Sequence, residues 1–232
     1  MKVEISTDGL DGAVAADRLG ADRIELCSAG VSGGLTPGPG LLSAVLERCR
    51  RSEVHVLVRP REGGFKYSPA EVAVMRAEVR HAASAGAAGV VVGALDRSGR
   101  LDTAVLAELV VEAAGLPVAL HRAVDVCLDP VEAAHCAASL GIRRVLSSGG
   151  AARAEDGAAV LRRMAGTDVT VTACGGIRAH HLHHIAKATG VAEVHAAPRT
   201  QVPSPGGQVD FGPHALLDEQ ETHDLIAEAR RL

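Results

Sequence analysis

Eight short apolar runs, each closing on polar residues and most followed by an Ala/Leu-rich stretch of helical length, recur between Lys2 and His195. Alternation of this kind commits a chain to parallel strands with covering helices, because every return to a parallel strand needs a long crossover. Eight such units in 232 residues fit a sheet closed on itself. The predicted fold is therefore α/β, a single-domain (β/α)8 TIM barrel spanning 1–232, with its site at the carboxyl ends of the strands. The fifth run, Leu116 to Leu120, ends in His121-Arg122-Ala123-Val124-Asp125 and places an imidazole, a guanidinium and a carboxylate at that end.

Punctuation between the runs is consistent with this frame. Leu10 to Leu19 reads as a helix stopped by Gly20. Thr36-Pro37 reads as a helix start, and Ser68, Pro69 and Glu71 form a capping-box pattern. Asp129-Pro130 starts a further helix by the same logic. Residues 200–213 read as an irregular Pro/Gly-rich loop, and 216–232 as a closing amphipathic helix.

Aromatic residues make up only 1% of the chain against 47% hydrophobic, so Ala, Val, Leu and Ile must fill the core. With a net charge of -4, no basic run and no aromatic platform, nucleic acid is excluded as a partner. No signal-peptide pattern or bilayer-length apolar run is present, so no membrane role is expected and the chain reads as cytoplasmic. Five dispersed cysteines without a CxxC pair imply free thiols.

Strand parity gathers the candidate chemistry. Glu4, Glu25, Cys27, Arg59, His121 and His195 share the parity opposite the helix-facing apolar residues, with Arg61, Asp125 and Arg199 just beyond. His121, with Glu25 or Asp125, suits proton exchange. Arg59, Arg61, Arg122 and Arg199 suit an anion, as do the Gly149-Gly150 and Gly175-Gly176 pairs, whose backbone N–H groups lie near helix starts. The plainer alternatives are ion pairs with Glu62 or its neighbours for the arginines, simple turns for the glycines, and a buried ionic plug for the whole set. His180 and His184 stand at the i, i+4 spacing of two zinc ligands, but no third ligand accompanies them, and a solvated surface is the better reading.

The segments Ile24-Glu-Leu-Cys27, Gly33-Gly-Leu-Thr-Pro37, Val58-Arg-Pro-Arg61, Gly64-Phe-Lys-Tyr-Ser68, His121 to Asp125, Ser147 to Gly150, Cys174 to Ile177 and the late His195…Arg199 resemble, in order and spacing, the CutC family of copper homeostasis proteins. The resemblance runs to about Arg199. It implies a barrel fold, a link to copper with Cys27 as the matching thiol, and a homodimer or higher homo-oligomer. Val124, Leu120 and the His195-Ala-Ala-Pro-Arg199 ending depart from the family pattern. No organic cofactor is indicated.

Two functions follow. One is copper handling, with Cu(I) at Cys27, Cys174 and His195. The other is an enzyme of lyase, isomerase or hydrolase type acting on a small anionic or phosphorylated metabolite. The arginines of the mouth favour an anion, while Cu(I) favours thiolates. A catalytically inactive scaffold is a third reading.

Overall fold

The computed structural model describes residues 1–204, 206 and 212–232. Eight parallel strands, β1 (Lys2–Thr7), β2 (Arg23–Leu26), β3 (Glu53–Leu57), β4 (Gly89–Val92), β5 (Val118–Leu120), β6 (Arg144–Ser147), β7 (Thr170–Ala173) and β8 (Glu193–Ala196), pair in sequence order, and β8 returns to β1. The sheet is a closed barrel, as its period predicts. Helices α1 (Leu10–Leu19), α2 (Pro39–Arg48), α3 (Pro69–Ala85), α4 (Thr103–Glu112), α5 (Pro130–Ser139), α6 (Ala158–Ala165) and α7 (Leu182–Thr189) connect successive strands, and α8 (Glu219–Ala229) follows the last. None of them is long and apolar enough to cross a membrane among the described residues.

Strand parity decides what lies on each side of the barrel wall. Ile5, Ile24, Val56, Val90, Leu120, Val145, Val171 and Val194 pack outward into one cluster with helix residues such as Leu42, Met75, Leu106 and Leu161. A second, separate apolar cluster holds Cys27, Leu57, Val91, Ala119, Leu146 and Cys174, all of the opposite parity. That cluster is part of the plug inside the barrel. Polar residues supply the rest: Glu4 on β1 meets Arg144 on β6 at 2.6 Å, and Arg144 reaches His55 on β3 at 3.0 Å. Strands that are not neighbours can meet in this way only across the interior.

Small residues make room for these side chains. A Cβ at Gly89 would stand 2.4 Å from the His55 ring, and one at Gly93 would stand 2.3 Å from His121. The strand Gly-Val-Val-Val-Gly thus carries, at each end, a flat place for a histidine ring from an adjoining strand.

Helix starts follow the expected chemistry where a side chain caps them. Ser68 and Glu71 form the reciprocal capping box, and Asp129 accepts the N–H groups of Val131 and Glu132. Three expectations need correction. The second helix begins at Pro39, with Gly38 as its cap, because Thr36 is otherwise engaged: its hydroxyl donates to the Arg59 carbonyl at 3.2 Å and accepts the Arg59 N–H at 3.0 Å. The stretch 200–213 is not wholly irregular, and the closing helix does not start at 216. β9 (Arg199–Val202) pairs antiparallel with β10 (His214–Leu217), and α8 starts after its Asp218 cap. Pro203 and Pro213 fall just outside the two strands, so the turn-forming residues belong to the connection. Residues 205 and 207–211 of that predicted loop lie outside the described residues.

The close fit at β4 gives a test. Gly89→Ala should destabilise the protein by about 1–3 kcal/mol, the usual cost of overpacking, whereas Gly64→Ala, which meets nothing within 4 Å, should fall within about 1 kcal/mol of wild type. Urea unfolding of the two variants measures both.

Candidate functional site

The mouth pocket at the carboxyl ends of the strands is lined by Glu25, Leu57, Arg59, Phe65, His121, Arg122, Leu146, Cys174 and His195, with Gly33 at its rim. Its cavity is about 90 Å³, which admits a compound of only a few heavy atoms. Of the residues singled out from sequence, it unites Glu25, His121, His195, Arg59, Arg122 and Cys174.

At one side stands a series of three titratable groups. Glu4 and His195 are directly paired across β1 and β8, and the Glu4 Oε1 to His195 Nδ1 distance is 2.7 Å. His195 Nε2 then faces Glu25 Oε2 at 3.9 Å, beyond hydrogen-bond reach but close enough for the charges to interact strongly. Burial raises the Glu4 carboxyl, but Arg144, His195 and Arg23 outweigh it and hold Glu4 well below the ordinary carboxylate range. Burial raises Glu25, opposed by His195 and reinforced by the Glu4 charge, and the balance is upward. For His195 burial acts downward, yet Glu25 and Glu4 overcome it and favour the imidazolium. Behind the series, Arg23 pairs with Glu193 at 3.1 Å, and Thr172 donates to the same Glu193 carboxylate.

His121 differs in kind. Its Nδ1 accepts the Ala123 N–H at 3.1 Å, while Phe65 lies against the ring with centroids 4.9 Å apart. Burial, with the nearby Arg59 charge, depresses its pKa to about 3. At neutral pH it is an uncharged imidazole.

The arginines and glycine pairs divide by function. Arg59 donates to the carbonyls of Ser32, Gly34 and Gly63, thereby holding the glycine-rich loop over the mouth. Arg61 turns outward to Glu71 and to the carbonyls of Glu62, Gly64 and Lys66. Arg199 lies against Gly30, with Asp8 at 4.0 Å. Arg122 is the partly open guanidinium of the pocket, 44% exposed, bonded to Asp125 and to Ser148. Asp125 already accepts from the Ser147 and Ser148 hydroxyls, the Ser148 and Gly150 amides and Arg122. It clamps the loop after β6 and leaves the Gly150 N–H no role toward a ligand, while the Gly149 N–H goes to Ser147. Gly175 and Gly176 have positive φ and lie close against Ala152, Ser148 and Arg153, where a Cβ would be crowded at 3.1 Å.

Metal chemistry can be weighed on the same geometry. The Cys27 thiol is buried, contacts Ser6 at 3.7 Å and the Thr7 carbonyl at 3.5 Å, and is pushed up to about 12 by burial and the Glu25 charge. Burial likewise raises Cys174 well above the ordinary thiol. Cu(I) binds the thiolate, so its binding here must release the thiol protons, and Arg59 and Arg122 line the mouth beside Cys174 with opposing charge. Cys127 faces an outer cleft that it shares with Cys136 and Asp96. Glu4, Glu25 and His195 offer one donor atom each within 4.8 Å of one another. Their oxygen and imidazole donors would suit a harder ion, but the Arg144 and Arg23 charges beside Glu4 oppose a cation. His180 lies in a 3-10 turn at Ala179–His181 and His184 in α7, so the single-helix spacing read from sequence does not hold.

Arg23, Arg144, Glu193 and His55 were not singled out from sequence. Each has the inward parity of its strand, which was the available signal. Phe65 reaches the pocket from the loop after β3, where no periodicity points to it.

A closed parallel barrel with titratable side chains converging on the carboxyl-end mouth defines a TIM-barrel protein, with the candidate site at the end where this fold carries its chemistry. Within that class, residues 1–200 match the model of the CutC family. The chain is 42% identical over 213 residues to a CutC family protein of Xanthomonas axonopodis pv. citri, covering 88% of each, and 35% identical over 233 residues to one of Bacteroides thetaiotaomicron, covering 97% of this chain and 93% of that one. It is also similar to the solved structure of the putative copper homeostasis protein CutC from Streptococcus agalactiae, with a TM-score of 0.79 and 25% identity over 84% of this chain and 97% of that one. The chain belongs to the CutC family.

The depressed histidines give a pH signature. His121 and His55, both at about 3 when folded, take up protons near pH 6.5 when unfolded, so their contribution is complete above pH 6.5 and is lost as pH falls toward 3. His195, raised in the fold, acts oppositely and loses its contribution only as pH rises through its folded value. Between pH 6 and 5, His121→Gln should flatten the fall of unfolding free energy by up to about 1.4 kcal/mol per pH unit, measured by urea titration at each pH.

Proposed function

We propose that this CutC family member is an acid–base enzyme, of lyase or isomerase type, acting on a small anionic metabolite. The observation that carries the reading is the Glu4–His195–Glu25 series opening into the mouth pocket. Glu4 fixes the His195 ring through Nδ1, which leaves Nε2 directed at the groove beside Glu25. A carboxyl whose pKa is raised, facing a histidine across 3.9 Å in one pocket, is a group suited to take and return a proton. Glu25, lining the pocket, is the group that takes a proton from substrate. His195 lines the same pocket and stabilises the Glu25 carboxylate before transfer. Arg122, partly exposed at the rim, receives the anionic group of the substrate. Arg59 contributes positive potential from behind, while its hydrogen bonds keep the loop in place.

The second reading is the copper role named for the Streptococcus agalactiae relative, with Cu(I) held by Cys27, Cys174 and His195. What favours it is that both cysteines border one interior cluster. The Arg59 and Arg122 charges in the same pocket count against it, and a link to copper would then be indirect. Five free thiols support a reducing, cytoplasmic setting.

An anaerobic Cu(I) titration against a competing chelator, on wild type and Cys27→Ala, separates the readings. The acid–base reading predicts no competitive site, and it predicts that a thermal-shift screen of carboxylated and phosphorylated metabolites finds a stabiliser whose effect Arg122→Ala reduces. A tight stoichiometric Cu(I) site that Cys27→Ala abolishes would overturn it.

A further inference from the structure

Resting on the acid–base reading, we infer that His121 is a fixed hydrogen-bond donor whose Nε2–H stabilises an oxyanion, so that the substrate is a small anionic carbonyl compound passing through an enolate. A backbone N–H can only donate, so the contact from Ala123 makes Nδ1 the lone-pair nitrogen of the ring. In a neutral imidazole the hydrogen must then lie on Nε2. That atom is buried and meets no partner among the described residues, although His121 is only 5% exposed and lines the mouth pocket. An unsatisfied buried donor on a residue that lines the mouth pocket is a place prepared for an acceptor.

The surroundings hold the ring in this one state. Gly93, immediately after β4, gives it a bare surface, since a Cβ there would collide with Cε1, and Phe65 covers another side. The Arg59 guanidinium, 5.3 Å above the Phe65 ring, keeps the imidazole neutral by its charge, in concert with burial. The other charged or titratable groups bordering the pocket are Glu25 and His195, Arg122 at the rim, and the Cys174 thiol. A neutral imidazole is a better matched donor for a developing enolate than an imidazolium, because it does not surrender its proton to the intermediate.

The step balances without any further reagent. The C–H bond next to the carbonyl breaks, its proton moves to the Glu25 carboxylate, and its electron pair passes through the new C=C to the carbonyl oxygen. His121 Nε2–H donates to that oxygen. Return of the proton to a carbon, or loss of a leaving group from the enolate, completes an isomerisation or an elimination. Arg122 holds the carboxylate or phosphate of the same molecule.

Oxalate, a planar dianion that resembles an enolate of a small oxo acid, is the probe. In wild type, 15N-edited NMR should show His121 as the Nε2–H tautomer from pH 6 to 8, and saturating oxalate should move that proton downfield. His121→Leu should weaken oxalate binding by tenfold or more, and His121→Gln, whose amide can supply a donor at a similar place, should restore it to within about threefold of wild type. An Nδ1–H tautomer, an imidazolium in that pH range, an unmoved Nε2–H at saturation, or no oxalate binding up to 10 mM would each overturn the inference. Oxalate bound equally well by His121→Leu would overturn it while leaving the acid–base reading intact, since that reading fails separately, on a Cys27-dependent Cu(I) site.

Discussion

A carboxylate sealed inside a barrel must find its counter-charges there, and Glu4 organises the interior around that requirement. It is 1% exposed, with Arg144 at 2.6 Å, Arg23 at 3.5 Å and His195 at 2.7 Å. Four strands, β1, β2, β6 and β8, are linked through one side chain. Burying these charges brings little net stability in place of apolar packing, but removing one partner would leave the others uncompensated. The network therefore constrains the barrel more than it stabilises it. Its chief consequence is local: because Arg144 and Arg23 neutralise one oxygen of Glu4, the other is free to fix His195.

From that fixed imidazole the chemistry of the mouth follows. Burial raises Glu25 against the His195 charge, and Glu25 with Glu4 raises His195 against burial, whereas His121, immediately after β5, is driven down by burial and the Arg59 guanidinium. Two buried histidines of one pocket are thus shifted in opposite directions, and the difference traces to which neighbour each meets. The same environment raises the thiols: burial in an apolar cluster, with the Glu25 charge beside it, pushes up Cys27, the residue that the family resemblance marks for copper.

Much of this was legible in the sequence. The eight-fold strand and helix period dictates the closed sheet, and parity places Glu4, Glu25, Cys27, His121 and His195 inside. Parity cannot reveal height along the barrel axis or partners across it. Arg144 has the inward parity of β6, but nothing in the chain order announces that it meets Glu4, 140 positions away. Nor does sequence separate a free acid from a committed one: Asp125 ends a strand as a catalytic carboxylate would, and only the structure shows five donors converging on it. The hairpin of β9 and β10 escaped for a related reason. Its two strands are short and lie either side of a Pro/Gly-rich connection, so their pairing is decided by contact across that connection and not by local pattern.

The central claim is that Glu4, His195 and Glu25 form one coupled proton-handling unit. A side-chain NMR titration of His195 and Glu25 from pH 4 to 9, in wild type and in Glu4→Gln, tests it most directly. The account predicts a His195 midpoint above 6.5 and a Glu25 midpoint above 4.5 in wild type, with the His195 midpoint falling when Glu4 loses its charge. A His195 already neutral at pH 6, or a midpoint indifferent to Glu4→Gln, would contradict it.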